Sequence, residues 1–361
     1  VVTAELGRQK TVADRLTAMP KADLHCHLDG ALRIETIADL VRQEEISVPV
    51  PSDRLAEICV APPRCRDLMD LLSYFDLAIR VLQNASALER VTYELCQDVA
   101  TENVRYLEIR YAPVLHRNRG LSLDEIIRAV LHGWEAGSRE FGLTGGVILC
   151  GIRQMPPEST LATARAGVPY LGKGVVGFDL AGDEAGYPVL LHREPLLWAR
   201  NAGYEMTIHA GEAAGAKSVR DAVEIIGASR IGHGTHSGED PSLLPELRRR
   251  RITLEMCPTS NAQSQSVADM HRHPLLHLYR EGVQVTVNTD NRTVSQTTET
   301  NEMALVQEKL GVSVEELAAM SLTAVEAGFA EESERRALLR EMRQSYAALG
   351  IEPAVQPGVS A

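Results

Sequence analysis

The sequence predicts a closed parallel (β/α)8 barrel, on three observations. Eight short apolar runs alternate with segments of helical periodicity along 361 residues, which is the pattern of an α/β fold with a parallel sheet. Histidines and acidic residues cluster at the C-terminal ends of several runs, the face on which a parallel barrel builds its site. No glycine-rich dinucleotide turn follows any run, which disfavours the alternative, an open doubly wound sheet. Barrels of this class use such a length as one unit. A single domain over 1–361 is therefore expected, without internal repeats or linkers.

The elements follow in order. Residues 1–19 read as a polar lead-in with one short helix that stops at Met19-Pro20. Strand one is expected over 22–28 and a helix over 34–45, ended by the Pro-rich turn 49–53. Apolar residues at helical spacing then give two longer helices, 66–82 and 86–102. Strands two to four fall at 104–113, 146–153 and 174–182, with helices at 122–141 and from Pro157 to about Arg165 between them. Strands five to eight fall at 204–209, 229–234, 252–258 and 283–289, separated by helices at 218–227, 241–251 and 274–282. A helix over 190–203 precedes strand five, and 300–349 is helical. The Pro/Gly-rich tail 350–361 is expected to fray. The helices between strands one and two exceed a simple crossover, so they are expected to cap one end of the barrel.

Composition narrows the function. A hydrophobic share of 44% allows a sizeable core, and a net charge of −12 gives no basic field for nucleic acid or an anionic membrane. Six scattered cysteines form no CxxC pair, so neither a cysteine metal cluster nor a dithiol motif is supported. Cys26 and Cys150 lie in apolar runs and read as buried thiols. No apolar run approaches the roughly 20 residues of a membrane span, and the first 16 residues lack the apolar core of a secretion signal. A cytoplasmic protein acting on a small molecule is expected.

Four strand ends carry the chemistry. His25 and His27 are two apart on a strand, so both imidazoles face one way and can share a metal. Asp29, two residues on, fits a third ligand, an acceptor for a substrate hydroxyl, or a helix cap. His209 ends strand five as a further nitrogen ligand, and Glu212, beyond a tight turn, is placed for proton transfer. His233 sits between Gly232 and Gly234 as a base or an orienter of water. Asp290 ends strand eight, where burial demands a cation or hydrogen bonds, and Asn291 beside it can hydrogen-bond a heterocycle. Gly182 would let a ligand approach the main chain, while Asp183 and Glu184 read as loop-ordering residues. His236 reads as a surface or supporting residue. The other histidines lie in helices or loops without partners and read as structural or surface residues.

These clusters, in this order, resemble the adenosine deaminase family of metal-dependent hydrolases. The matching pieces are PKADLHCHLDGALR (20–33), YLEIRYAP (106–113), GVVGFDLAGDEAG (174–186), IHAGEAAG (208–215), RIGHG (230–234), CPTSN (257–261) and NTDN (288–291). The resemblance implies one zinc ion per subunit held by His25, His27, His209 and Asp290. It implies Glu212 as proton donor to a purine ring and His233 as the residue that orients or deprotonates the attacking water. Substrate contacts are implied for His27, Asp29 and Gly182. Many members carry a second aspartate where this chain has Asn291, contacting ring nitrogen 7; an amide can donate there without the raised pKa a protonated Asp needs. The PCxxC signature of cytidine-type deaminases is absent. The expected activity is hydrolytic deamination of adenosine and 2′-deoxyadenosine to the inosine products and ammonia. Another 6-aminopurine, adenine or aminodeoxyfutalosine, is the alternative, and a non-catalytic zinc- or nucleoside-binding protein the third reading.

Overall fold

The computed structural model describes residues 11–356. Eight strands, β1 (Lys21–His27), β2 (Val104–Tyr111), β3 (Thr144–Ile152), β4 (Val175–Ala181), β5 (Glu205–Ala210), β6 (Arg230–His233), β7 (Thr253–Met256) and β8 (Gln284–Val287), pair in sequence order. Every pair is parallel. The ring closes where β8 returns to β1. There Cys26 bridges Asp290, His27 N–H donates to Asp290 O (2.7 Å) and Asp290 N–H to His25 O (2.8 Å). The strands are buried on both faces, as parallel strands flanked by helices must be. This explains their continuous apolar runs.

The helices begin where the chain supplies caps. Ser122 and Glu125 form a capping box at the start of helix Leu123–Phe141, and Gly142, with φ 66°, ends it. The helix packs against Ala85–Thr101. Gly133 permits that approach, since a Cβ there would stand 2.4 Å from Glu89 O.

The middle of the barrel holds a layer of buried charge. Arg110 donates to Asp179 (2.8 Å), Glu255 (2.7 Å) and Leu24 O (2.6 Å). Arg230 donates to Glu255 (2.7 Å) and Glu108 and stacks on Phe329. Such charges survive burial only when paired and hydrogen-bonded.

Three expectations change. The helix expected over 66–82 is three short turns, Leu68–Leu72, Ser73–Phe75 and Asp76–Val81. Ser73 Oγ donates to Asp70 O (2.6 Å) at the junction, a local bond that competes with regular helix. The tail does not fray through residue 356. Ile351 is buried, Ala354 N–H donates to Glu315 O and Gln356 Nε2 to Val283 O, so proline and glycine end the helix there without releasing the chain. Residues 357–361 of that tail, and 1–10 of the polar lead-in, lie outside the described residues. His192 and His273, expected without partners, are buried and bonded to Thr160 and Asn261. No helix among the described residues is long and apolar enough to cross a membrane.

Candidate active site

The barrel brings His25, His27, His209 and Asp290 to one point at its C-terminal mouth. Their ligand atoms all lie within 4.8 Å of one another. His27 Nε2 and His209 Nε2 are 3.2 Å apart, and Asp290 Oδ1 stands 3.3 Å from His25 Nε2 and 3.5 Å from His27 Nε2. A tetrahedron with metal–ligand bonds of roughly 2.0–2.1 Å has edges of about 3.3–3.4 Å, so the donors stand at the spacing of a metal shell. His25 Nε2 is buried and faces no group outside this cluster, as a nitrogen reserved for a cation would be. A second possible set, His25, His233, Cys257 and Asp290, fits less well. Burial pushes the Cys257 thiol well up, and its Sγ turns to Glu255 O (3.4 Å).

The ring orientations are set from the middle layer. His25 Nδ1 meets Glu255 (2.9 Å) and His209 Nδ1 meets Asp179 (2.8 Å). A carboxylate at one imidazole nitrogen leaves the other free to ligate. Burial holds His27 and His209 below the usual histidine range, which keeps them neutral. Burial and Arg110 also depress His25, but its two carboxylate neighbours outweigh them and draw it upward; a cation at the centre competes with that proton. Burial alone would raise Asp290, yet the surrounding imidazoles hold it well below the carboxylate range. Asp290 and His233 both adopt left-handed backbone, φ 57° and 62°. Non-glycine residues tolerate that only where the surroundings impose it.

Glu212 lies 5% exposed, its Oε2 3.4 Å from His233 Nε2. Burial, with the charges of Asp290 and Glu184, pushes its carboxyl well above the usual range, which favours its protonated form. Its loop is clamped by Glu184, which accepts the N–H groups of Gly211, Glu212, Ala213 and Ala214 and the Ser218 hydroxyl. Gly211 turns there with φ 70°.

A cavity of about 180 Å³ opens above the cluster. Leu68, Leu71, Leu72, Phe75 and Ile79 from the capping turns form an apolar wall. Its polar side holds Asp29, Gln154, Gly182, Glu212, His233 and Asn291. Asp29 Oδ1 and Asn291 Oδ1 are buried without partners, and burial pushes the Asp29 carboxyl up to about 6. Gly182, at φ 106°, runs against Gln154 so closely that a Cβ would stand 2.3 Å from Oε1. The candidate ligands, Asp29, Gly182, Glu212, His233 and Asn291 thus border this cavity or form the cluster beneath it, while Asp183 and Glu184 do not line it. Nor does His236; it bonds Gly211 O, to the side.

The adenosine deaminase family model matches residues 20–345. The chain belongs to this family. It is 40% identical to an adenosine deaminase of Vibrio atlanticus over 91% of its own length and 98% of that relative. An adenosine deaminase of Clostridium perfringens is 39% identical over 88% and 96% of the two chains. The solved adenine deaminase of Arthrobacter aurescens superposes with a TM-score of 0.84 at 26% identity, covering 91% of this chain and 99% of that one.

Sequence reasoning missed the residues behind the rings of this family site. Asp179 and Glu255 each stand alone as an acid inside an apolar run, and such an acid needs a buried partner; that was the available signal. Asn261, which bonds His233 Nδ1, lay in the matching piece CPTSN without a role assigned to it, and Gln154 had no comparable signal.

Proposed function

We propose that this chain hydrolyses the 6-amino group of adenosine and 2′-deoxyadenosine to give inosine or 2′-deoxyinosine and ammonia. One zinc ion would be held by His25, His27, His209 and Asp290. The observation that carries this reading is a shell of ligand atoms at metal spacing beneath a cavity that also presents the buried Glu212 carboxyl. Zinc supplies Lewis acidity there, making a water molecule nucleophilic near neutral pH.

The remaining steps belong to the chain. Leu71, Phe75 and their neighbours cover the purine and exclude bulk water, while the Gly182 main chain lets the ring approach. Asn291 meets ring nitrogen 7, and Asp29 and His27 receive the ribose. His233 orients the attacking water. Glu212 passes its proton to ring nitrogen 1 as the water oxygen adds to carbon 6. Of the two protons the water oxygen loses, one passes by way of the ionised Asp290 to the amino group, which leaves as ammonia, and the other returns to Glu212. Two carboxyls pushed in opposite directions, Glu212 up and Asp290 down, share one mouth because burial dominates at the first and imidazoles at the second. The six cysteines are unpaired, which suits a reducing cytoplasm.

Adenine is the second reading, favoured by the solved adenine deaminase. The unpartnered Asp29 Oδ1 weighs toward a nucleoside, since free adenine offers it no hydroxyl. Following the ultraviolet difference between amino- and oxopurine with each substrate decides between them. Faster turnover of adenosine supports the proposal, and turnover of adenine alone overturns it.

A further inference from the structure

His233 presents Nε2 to the cluster and Nδ1 to the wall behind it. Nδ1 lies 3.0 Å from Asn261 Nδ2. Asn261 Oδ1 faces two groups, the Cys257 N–H (3.3 Å) and His273 Nε2 (3.1 Å). His273 Nδ1 in turn receives the Leu275 N–H (3.2 Å). Amide and imidazole orientations follow from such networks only if something fixes their direction. Here two backbone N–H groups do, because a backbone N–H can only donate.

The direction propagates without a free choice. The Leu275 N–H makes Nδ1 the unprotonated nitrogen of His273. A neutral imidazole holds one proton, so His273 Nε2–H donates to Asn261 Oδ1. The Cys257 N–H needs the same oxygen. Turning the Asn261 amide over would set its NH2 against both donors. Its NH2 therefore points at His233, whose Nδ1 must accept. We infer that Asn261, locked by His273 and the Cys257 amide, holds His233 with its proton on Nε2, so that His233 donates a hydrogen bond to the attacking oxygen and does not deprotonate it. Each ring accepts a hydrogen bond at one nitrogen and so is neutral, and burial lowers His273 to about 3. Asn261 and His273 are then positioning residues for the reaction proposed above, on which the catalytic half of this inference rests.

Two measurements test it on the full-length, zinc-loaded enzyme. Nitrogen-15 histidine NMR, with His233 assigned by its loss in His233→Gln, should show the pattern of a neutral ring protonated at Nε2. A ring protonated at Nδ1 overturns the inference. The second measurement uses Asn261→Asp. A carboxylate still accepts from Cys257 and His273, but it also accepts from His233 and so moves the proton to Nδ1. Turnover should fall about 10²–10³-fold, the usual loss of one aimed donor, with KM and zinc content little changed. If His233 were the base, the same substitution would build a carboxylate–histidine pair, and turnover equal to or above that of the unaltered enzyme overturns the donor role. The NMR is read without substrate. An enzyme inactive on every 6-aminopurine would therefore sink the proposed function while leaving the tautomer decided.

Discussion

Two layers of one barrel treat buried charge in opposite ways. In the middle layer Glu108, Asp179 and Glu255 each meet a guanidinium of Arg110 or Arg230. At the mouth, Asp29 Oδ1 and Asn291 Oδ1 are as inaccessible but have no hydrogen-bond partner, and His25 Nε2 faces only Asp290, another residue of the cluster. His233 and Asp290 there hold left-handed backbone as well. Carboxylates paired with guanidinium groups rigidify a layer, whereas unpartnered acceptors and strain persist where a ligand is to complete them. Glu255 and Asp179 join the two layers, each holding an Arg110 contact on one side and a ligand imidazole on the other. The middle layer thus aims what the mouth uses.

The sharpest separation of the layers comes from Glu212→Ala. It should lower kcat by about 10²–10⁴-fold, the usual contribution of a positioned acid, while metal content and thermal stability stay unchanged. Near-full activity would break the assignment. Glu255→Ala should act on both layers. It leaves Arg110, Arg230 and His25 without their shared acceptor, costing roughly 3–5 kcal/mol of stability and about 10–100-fold in metal affinity. Chemical denaturation and chelator competition measure the two losses; loss of neither would mean the layers are not coupled. Asp29→Ala should reduce kcat/KM for adenosine about 10–100-fold, the worth of a hydrogen bond to a charged group, and leave any turnover of adenine unchanged. An equal loss on both substrates would remove Asp29 from ribose recognition.

Glu302 should affect stability alone: burial pushes its carboxyl up to about 7, above an unfolded value of about 4.3. The folded chain binds the extra proton between these values. Its contribution to stability is complete below about pH 4 and is lost as pH rises through about 7. Glu302→Gln should flatten that part of the Tm–pH curve, which thermal unfolding across the range reads directly.

What was legible in the sequence follows the same division. The mouth residues announced themselves, because histidines and acids at the ends of apolar strands are chemically out of place. The strand order followed from simple alternation. The middle layer stayed hidden, since one sequence does not show which Arg meets which Glu across the barrel. Pairs such as Arg110 and Glu255 are 145 residues apart. The turns over 66–82 were hidden for another reason. Their apolar spacing suits one helix, and only the local Ser73 bond and the cavity they cover explain why the chain breaks it.

The most direct test strips the enzyme with a chelator and titrates zinc back while ammonia release from adenosine is followed. The account predicts no turnover in the stripped protein and full recovery at one equivalent of zinc per chain. Undiminished turnover in the stripped protein, or recovery that ignores zinc, would contradict it.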